Sequence, residues 1–116
     1  MPIAQWQAVS RVDELCPGDL VAWLATEAKT RDTGHVMIVL DTAEQNAERP
    51  DEWLVRVADS ALHPHAHDSR HAPEDGLGTG TIGLVADDGG APTAFYWRGG
   101  QTELAHVTEI ALGRLT

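Results

Sequence analysis

The stretch that decides the fold is residues 79–97, TGTIGLVADDGGAPTAFYW. It contains two largely apolar runs, Thr79 to Ala86 and Thr93 to Trp97, on either side of the sequence Asp87-Asp88-Gly89-Gly90-Ala91. Glycine adopts the positive φ angles of tight turns without steric cost, so the segment predicts a β-hairpin. Two strands joined by so short a turn are antiparallel.

The rest of the chain extends this pattern. Further short segments rich in apolar and β-branched residues predict strands at Leu20–Leu24, His35–Leu40, Trp53–Asp59 and Val107–Leu112. Residues 4–14 have apolar side chains at about three-residue spacing, which predicts a short N-terminal helix or turn. Residues 25–34, 41–52 and 60–77 are polar and predict exposed loops. The expected fold class is therefore mainly β: a small antiparallel sheet or partly open barrel of about six strands.

Composition and charge exclude several classes of protein. The 116 residues are 42% hydrophobic and 22% charged, which suits one packed domain spanning residues 1–116. A formal charge of −10 opposes binding to nucleic acid, and no apolar run is long enough to span a membrane. The N-terminus lacks the apolar region of a signal peptide, so the sequence as given predicts a cytoplasmic protein. A single cysteine excludes a disulfide framework and a zinc site with several thiolates.

Two motifs together resemble a known family. Leu15-Cys16-Pro17-Gly18-Asp19-Leu20-Val21 is followed, after a strand and a loop, by Gly34-His35-Val36-Met37-Ile38-Val39. This pair resembles the sheet half of NlpC/P60-type papain-like cysteine peptidases. In that family a cysteine at the start of a helix attacks an amide, a histidine on the sheet accepts the thiol proton, and a polar residue orients the histidine.

The resemblance assigns roles to particular residues. It implies that His35 is the catalytic base and that Asp59, at the end of the next strand, orients it. It also places Trp23, Asp68 and Arg70 at a substrate groove, where the last two would contribute polar contacts or a surface ion pair. It implies a peptide or cell-wall peptide as substrate.

The nucleophile of the family has no counterpart in this sequence. None of the fourteen residues before Leu15 is cysteine, and Cys16 directly precedes Pro17 in a turn, without a helix N-terminus to stabilise a thiolate. We therefore expect a truncated or degenerate papain-like hydrolase scaffold that is inactive as this chain alone. A cysteine from missing sequence or from a partner chain would complete it.

Other functions remain open on the sequence. A non-catalytic binding or assembly module is the alternative, because a sheet without its helical half would expose apolar surface, including some of the four tryptophans, to a partner chain or a second copy. The segment His63-Pro64-His65-Ala66-His67 would align three imidazoles if extended, but a solvated loop is favoured and no metal ligand is assigned. Gly78, Gly80 and Gly83 have dinucleotide-motif spacing without the following helix, so they predict a bulge or a close backbone approach, and no cofactor is expected.

Overall fold

The computed structural model describes residues 5–24, 34–71, 74–99 and 104–116, and the strands in these ranges form an open antiparallel sheet. The class is mainly β, as predicted. The nine strands of this part of the chain are β1 (Trp6–Ala8), β2 (Leu20–Leu24), β3 (Gly34–Val39), β4 (Glu44–Asn46), β5 (Arg49–Ala61), β6 (Gly76–Ala86), β7 (Pro92–Tyr96), β8 (His106–Val107) and β9 (Ile110–Leu115).

The strand order is β1-β9-β2-β3-β5-β6-β7-β8, and β4 pairs with β5 beside this path. The long hairpin of β5 and β6 forms the middle of the sheet, with Asp59 directly opposite Gly78. On the other side of β5, Ile38 of β3 pairs with Ala58. On its other edge, β3 pairs with β2, and His35 of β3 lies opposite Trp23 of β2.

The sheet curls so that one face encloses the core. Trp23 of β2 stacks on Phe95 of β7 with ring centroids 3.8 Å apart, although these strands are not neighbours in the sheet. Alternate residues of each strand point into this inner face because successive side chains in a strand point to opposite sides. The core consists of Val12, Leu15, Val21, Trp23, Met37, Val39, Val55, Val57, Ile82, Leu84, Ile110 and Leu112.

The hairpin turn predicted at Asp87-Asp88-Gly89-Gly90-Ala91 is confirmed. The Asp87 carboxylate accepts hydrogen bonds from the backbone N–H groups of Gly89 and Ala91, and Gly90 has a φ of 85°. These contacts close the loop between β6 and β7. Within the described residues, no helix is long and apolar enough to cross a membrane.

Three local predictions need correction. The N-terminal segment forms β1 and a 3₁₀ turn at Val12–Glu14 in place of one helical turn, because β1 pairs along β9. Residues 41–52 are not all loop, since they contain β4 and the start of β5. There Glu52 is fully buried, and its carboxylate accepts hydrogen bonds from Arg98 and Asn46. The strand predicted at Val107–Leu112 is two strands, β8 and β9. The loop predicted at 25–34 lies outside the described residues except for Gly34.

Candidate functional site

The residues that the sequence singles out as a base and its orienter meet at one end of the sheet. His35 is the second residue of β3, and Asp59 lies near the end of β5. Both point to the inner face, Asp59 because it shares the parity of the core residues Val55 and Val57. His35 Nε2 lies 2.6 Å from Asp59 Oδ2.

This contact sets the tautomer of the neutral His35 ring. A carboxylate only accepts hydrogen bonds, so Nε2 donates, and the neutral ring carries its lone pair on Nδ1. No described residue is hydrogen-bonded to that Nδ1, and the His35 side chain is 16% exposed. Nδ1 is therefore a proton acceptor at the partly exposed edge of the inner face, which we call the mouth of the site.

The loop between β5 and β6 folds back over Asp59 and supplies its other partners. His65 Nε2 lies 2.6 Å from Asp59 Oδ2, and Arg70 Nη2 donates to Asp59 Oδ1 at 2.8 Å. Arg70 also donates to both oxygens of Asp68. We refer to His35, Asp59, His65, Asp68 and Arg70 as the Asp59 cluster.

Hydrogen bonding keeps the two carboxylates of the Asp59 cluster ionised. Burial alone would raise the pKa of Asp59, but hydrogen bonds from His35, His65 and Arg70 reverse this and hold the pKa well below its usual range. Burial would likewise raise the pKa of Asp68, and the Arg70 guanidinium with the backbone N–H groups of His65 and Arg70 lowers it to about 2. The cluster therefore keeps its charges at neutral pH.

The ion pair between Asp68 and Arg70 was expected at the surface, and it is buried instead. Both side chains are only 2% exposed. Arg70 donates to Asp59, to Asp68 and, through Nη1, to the carbonyl of Gly76, so its guanidinium faces protein acceptors. Its visible effect is to hold Asp59 in place, and a role for Asp68 and Arg70 in substrate contact stays a prediction.

Glycines on β6 make room for the loop. A Cβ at Gly78 would overlap the Arg70 side chain, and one at Gly80 would lie 2.6 Å from Asp68 Oδ2 and 2.8 Å from the Cβ of His65. The glycine spacing thus permits a close approach, as predicted, although side chains of the loop approach the backbone. The loop also pairs with β6 directly, because Thr81 N–H donates to the Ala66 carbonyl and Ser69 N–H to the Thr79 carbonyl.

Aromatic rings line the mouth of the site. Trp97 lies 4.9 Å from the His35 ring and 4.1 Å from the His65 ring, measured between centroids. Trp23 borders His35 at 5.7 Å and continues through the stack on Phe95. The predicted substrate-groove residue Trp23 is 9% exposed, so most of its ring belongs to the core.

Sequence reasoning missed His65 and Trp97 as site residues. His63 and His67 are exposed, whereas His65 is 5% exposed and joins Asp59, so the three alternate histidines do not share a face. His67 has a φ of 49°, which breaks the extended conformation that such sharing requires. The alternation of histidines is a signal for the segment, but it does not distinguish His65 from its neighbours.

Cys16 lies away from His35. Gly18, in the turn that Cys16 begins, donates to the carbonyl of Val39 at the far end of β3. His35 is four residues from Val39, which corresponds to about 13 Å along an extended strand. The Cys16 thiol is exposed and contacts the carbonyl of Glu14. The expectation that Cys16 is not the nucleophile is consistent with this separation.

Two other features complete the description of the site. Within the described ranges, His35, Asp59 and His65 are a group whose nitrogen and oxygen atoms are close enough to hold a metal ion, all lying within 4.8 Å of one another. An open cavity of about 330 Å³ lies at the other end of β5 and β6, bordered by Trp53, Ala86 and Asp87, and it does not adjoin the Asp59 cluster.

Comparison with protein-family models, with curated proteins and with solved structures finds no match to this chain.

Proposed function

We propose that this chain is the sheet half of an amide or peptide hydrolase of the papain-like, NlpC/P60-like type. His35 is its base and Asp59 the residue that orients the base. The observation that carries the proposal is the 2.6 Å contact between His35 Nε2 and Asp59 Oδ2, which leaves Nδ1 as the acceptor at the mouth of the site. A pair of this geometry is what a thiol nucleophile requires for activation.

The reaction begins with proton transfer from a thiol to His35 Nδ1. The thiolate attacks the carbonyl carbon of an amide, and Asp59 stabilises the imidazolium through Nε2–H. When the C–N bond breaks, the imidazolium returns its proton to the departing amine, leaving a thioester that water hydrolyses. The thiol comes from a partner chain or from sequence other than these 116 residues, because their single cysteine, Cys16, is at the wrong end of β3.

The test uses the native assembly isolated from its source with whatever chains accompany this one. We expect hydrolysis of peptide amides that iodoacetamide abolishes, loss of that hydrolysis in His35→Ala, and normal hydrolysis in His63→Ala. His63 is the matched control because it is exposed in the adjacent loop and lies outside the Asp59 cluster. Thiol-dependent hydrolysis that survives His35→Ala would overturn the base assignment, and an assembly without thiol-dependent hydrolysis would overturn the hydrolase itself.

A second function, an assembly module, is favoured by the outer face of the sheet. Val36 and Ile38 point away from the core and are 56% and 48% exposed, and Leu24 on β2 is 75% exposed. The exposed apolar surface expected around the tryptophans is thus mainly aliphatic, although Trp6 is also exposed. Apolar surface of this kind commonly contacts another chain.

A second copy of this chain is the simplest partner to test. If the outer face mediates association, sedimentation should show a concentration-dependent oligomer that Val36→Lys with Ile38→Lys dissociates. Thr93→Lys, an exposed change on β7, is the control and should leave the oligomer intact. A monomer at all concentrations, with no partner in the native isolate, would rule out the assembly module.

A further inference from the structure

The inference concerns the three side chains that converge on one point of the Asp59 cluster. His35 comes from β3, Asp59 from β5 and His65 from the following loop, and both imidazoles direct Nε2 at Asp59 Oδ2. His65 and Asp59 have fully buried side chains, and the His35 side chain is partly exposed. Two imidazoles and a carboxylate are a common ligand set for zinc and related divalent metals.

The two contacts of the His65 ring favour a cation, either a proton or a metal ion, between its Nε2 and Asp59 Oδ2. His65 Nδ1 lies 2.9 Å from the carbonyl oxygen of Trp97, which can only accept, so Nδ1 carries a proton. In a neutral ring Nε2 then has a lone pair, and this lone pair faces a carboxylate oxygen at 2.6 Å. Either a second proton on His65 or a metal ion removes the resulting repulsion.

The surroundings are those of a metal site with its outer partners in place. Metal-binding histidines usually donate their other N–H to a carbonyl or carboxylate, as His65 does to Trp97. The second oxygen of Asp59 is held by Arg70. Once an ion has displaced the proton on His65 Nε2, both imidazoles are neutral, and the carboxylates of Asp59 and Asp68 exceed the single guanidinium by one negative charge, which favours the cation.

We propose that His35 Nε2, His65 Nε2 and the Asp59 carboxylate bind one divalent transition metal ion, with zinc as the representative. The ion replaces the protons that the two Nε2 atoms share with Asp59. Zinc–ligand distances are about 2.0–2.2 Å, so each Nε2 must move away from Asp59 Oδ2 until the two atoms are about 3 Å apart. His35 supplies this movement, since its side chain is at the mouth of the site and 16% exposed, whereas His65 is held by Trp97.

Metal binding and the proposed base function exclude each other. A neutral His35 that coordinates through Nε2 carries its proton on Nδ1, so it cannot accept a proton from a thiol. The ion would therefore be a reversible inhibitor of the proposed hydrolase. This consequence rests on the proposed function, whereas the metal site itself does not.

The experiment is calorimetric titration of the chelator-treated protein with zinc chloride at neutral pH, followed by cobalt(II) as a spectroscopic probe. We expect one zinc ion per chain and visible absorption bands from cobalt with nitrogen and oxygen ligands. His35→Gln should weaken binding by about tenfold or more, because it removes a ligand from the least buried position. The double variant His63→Ala with His67→Ala is the matched control and should bind normally, since both residues are exposed.

Two outcomes would overturn the metal site. One is the absence of stoichiometric zinc binding by the wild-type protein. The other is binding that persists in His35→Gln but disappears in the double variant, which would place the metal on the exposed histidines of the loop. Circular dichroism of each variant verifies folding, and the amide hydrolysis assay is independent of both outcomes. A failed metal site therefore leaves the proposed hydrolase untouched.

Discussion

Replacement of Asp59 by asparagine is the most informative perturbation of this fold. The change keeps the size of the side chain and removes its charge. The Asp59 carboxylate is fully buried and receives hydrogen bonds from two imidazoles and the Arg70 guanidinium at 2.6–2.8 Å. Removing one partner of a buried ion pair costs about 3–5 kcal/mol. Because Arg70 keeps Asp68 as a counter-charge, we expect a loss near the lower end of this range. In a domain of this size, such a loss lowers the melting temperature by about 10–20 °C.

Urea denaturation followed by tryptophan fluorescence measures this loss of stability. The midpoint urea concentration should fall, while the dependence of the unfolding free energy on urea concentration should stay the same. Asp51→Asn is the control, since Asp51 is exposed on the same strand, and it should change the free energy of unfolding by less than about 0.5 kcal/mol. The pKa of Asp59 is lowered in the folded state, so its contribution is complete above the ordinary value of 3.8 and is lost as the pH falls towards the folded value. The difference in the free energy of unfolding between wild type and Asp59→Asn should therefore become smaller below about pH 4. A gap under about 1 kcal/mol at neutral pH, or one that widens in acid, would refute the reasoning.

Three further predictions concern other positions. Gly34→Ala should destabilise the protein by about 1–3 kcal/mol or more in thermal melts, because Gly34 has a φ of 141° and a Cβ would overlap the backbone of β2. Gly89→Ala, where the nearest atom is 3.4 Å away, should cost less than half as much, and equal losses would contradict the argument. Arg114→Met should raise the pKa of Asp19, which hydrogen bonds from Arg114 lower, so the acid unfolding midpoint should move to higher pH. An unchanged acid midpoint would show that the pair is unimportant. Cys16→Ser should leave any turnover of the native assembly unchanged, and loss of turnover would identify this thiol as the nucleophile.

The sheet could be predicted from local sequence patterns, whereas the pairing of His35 with Asp59 was implied by the family resemblance and is compatible with strand geometry. Side-chain direction alternates along a strand, so the apolar parity of Val55 and Val57 also fixes where Asp59 points. A histidine that opens an apolar strand lies at the end of that strand, and short connections keep neighbouring strand ends together. Local patterns were therefore sufficient for the sheet, and the resemblance supplied the pairing of His35 with Asp59.

The features that could not be predicted depend on contacts between distant residues. The polar segment before Trp53 reads as solvated, yet Glu52 is buried because Arg98, 46 residues away, neutralises it. In the same way, His65 is buried because Gly80 leaves space for it and Trp97 offers a carbonyl. Neither segment contains a local pattern that indicates these distant partners, so local periodicity predicts loops for both segments.

The alternate glycines of β6 have a consequence for how the central hairpin assembles. Strands β5 and β6 align over ten paired positions, and Gly78 lies opposite Asp59 in that alignment. A register shift of one residue between β5 and β6 would place Leu77 or Thr79 next to Arg70. The Arg70 side chain already fills the space that a Cβ on Gly78 would need. The guanidinium would then be pushed away from Asp59, leaving buried charges unneutralised. The charge network around Asp59 therefore disfavours misaligned hairpins, because it can form only when β5 and β6, the two longest strands, pair in the correct register.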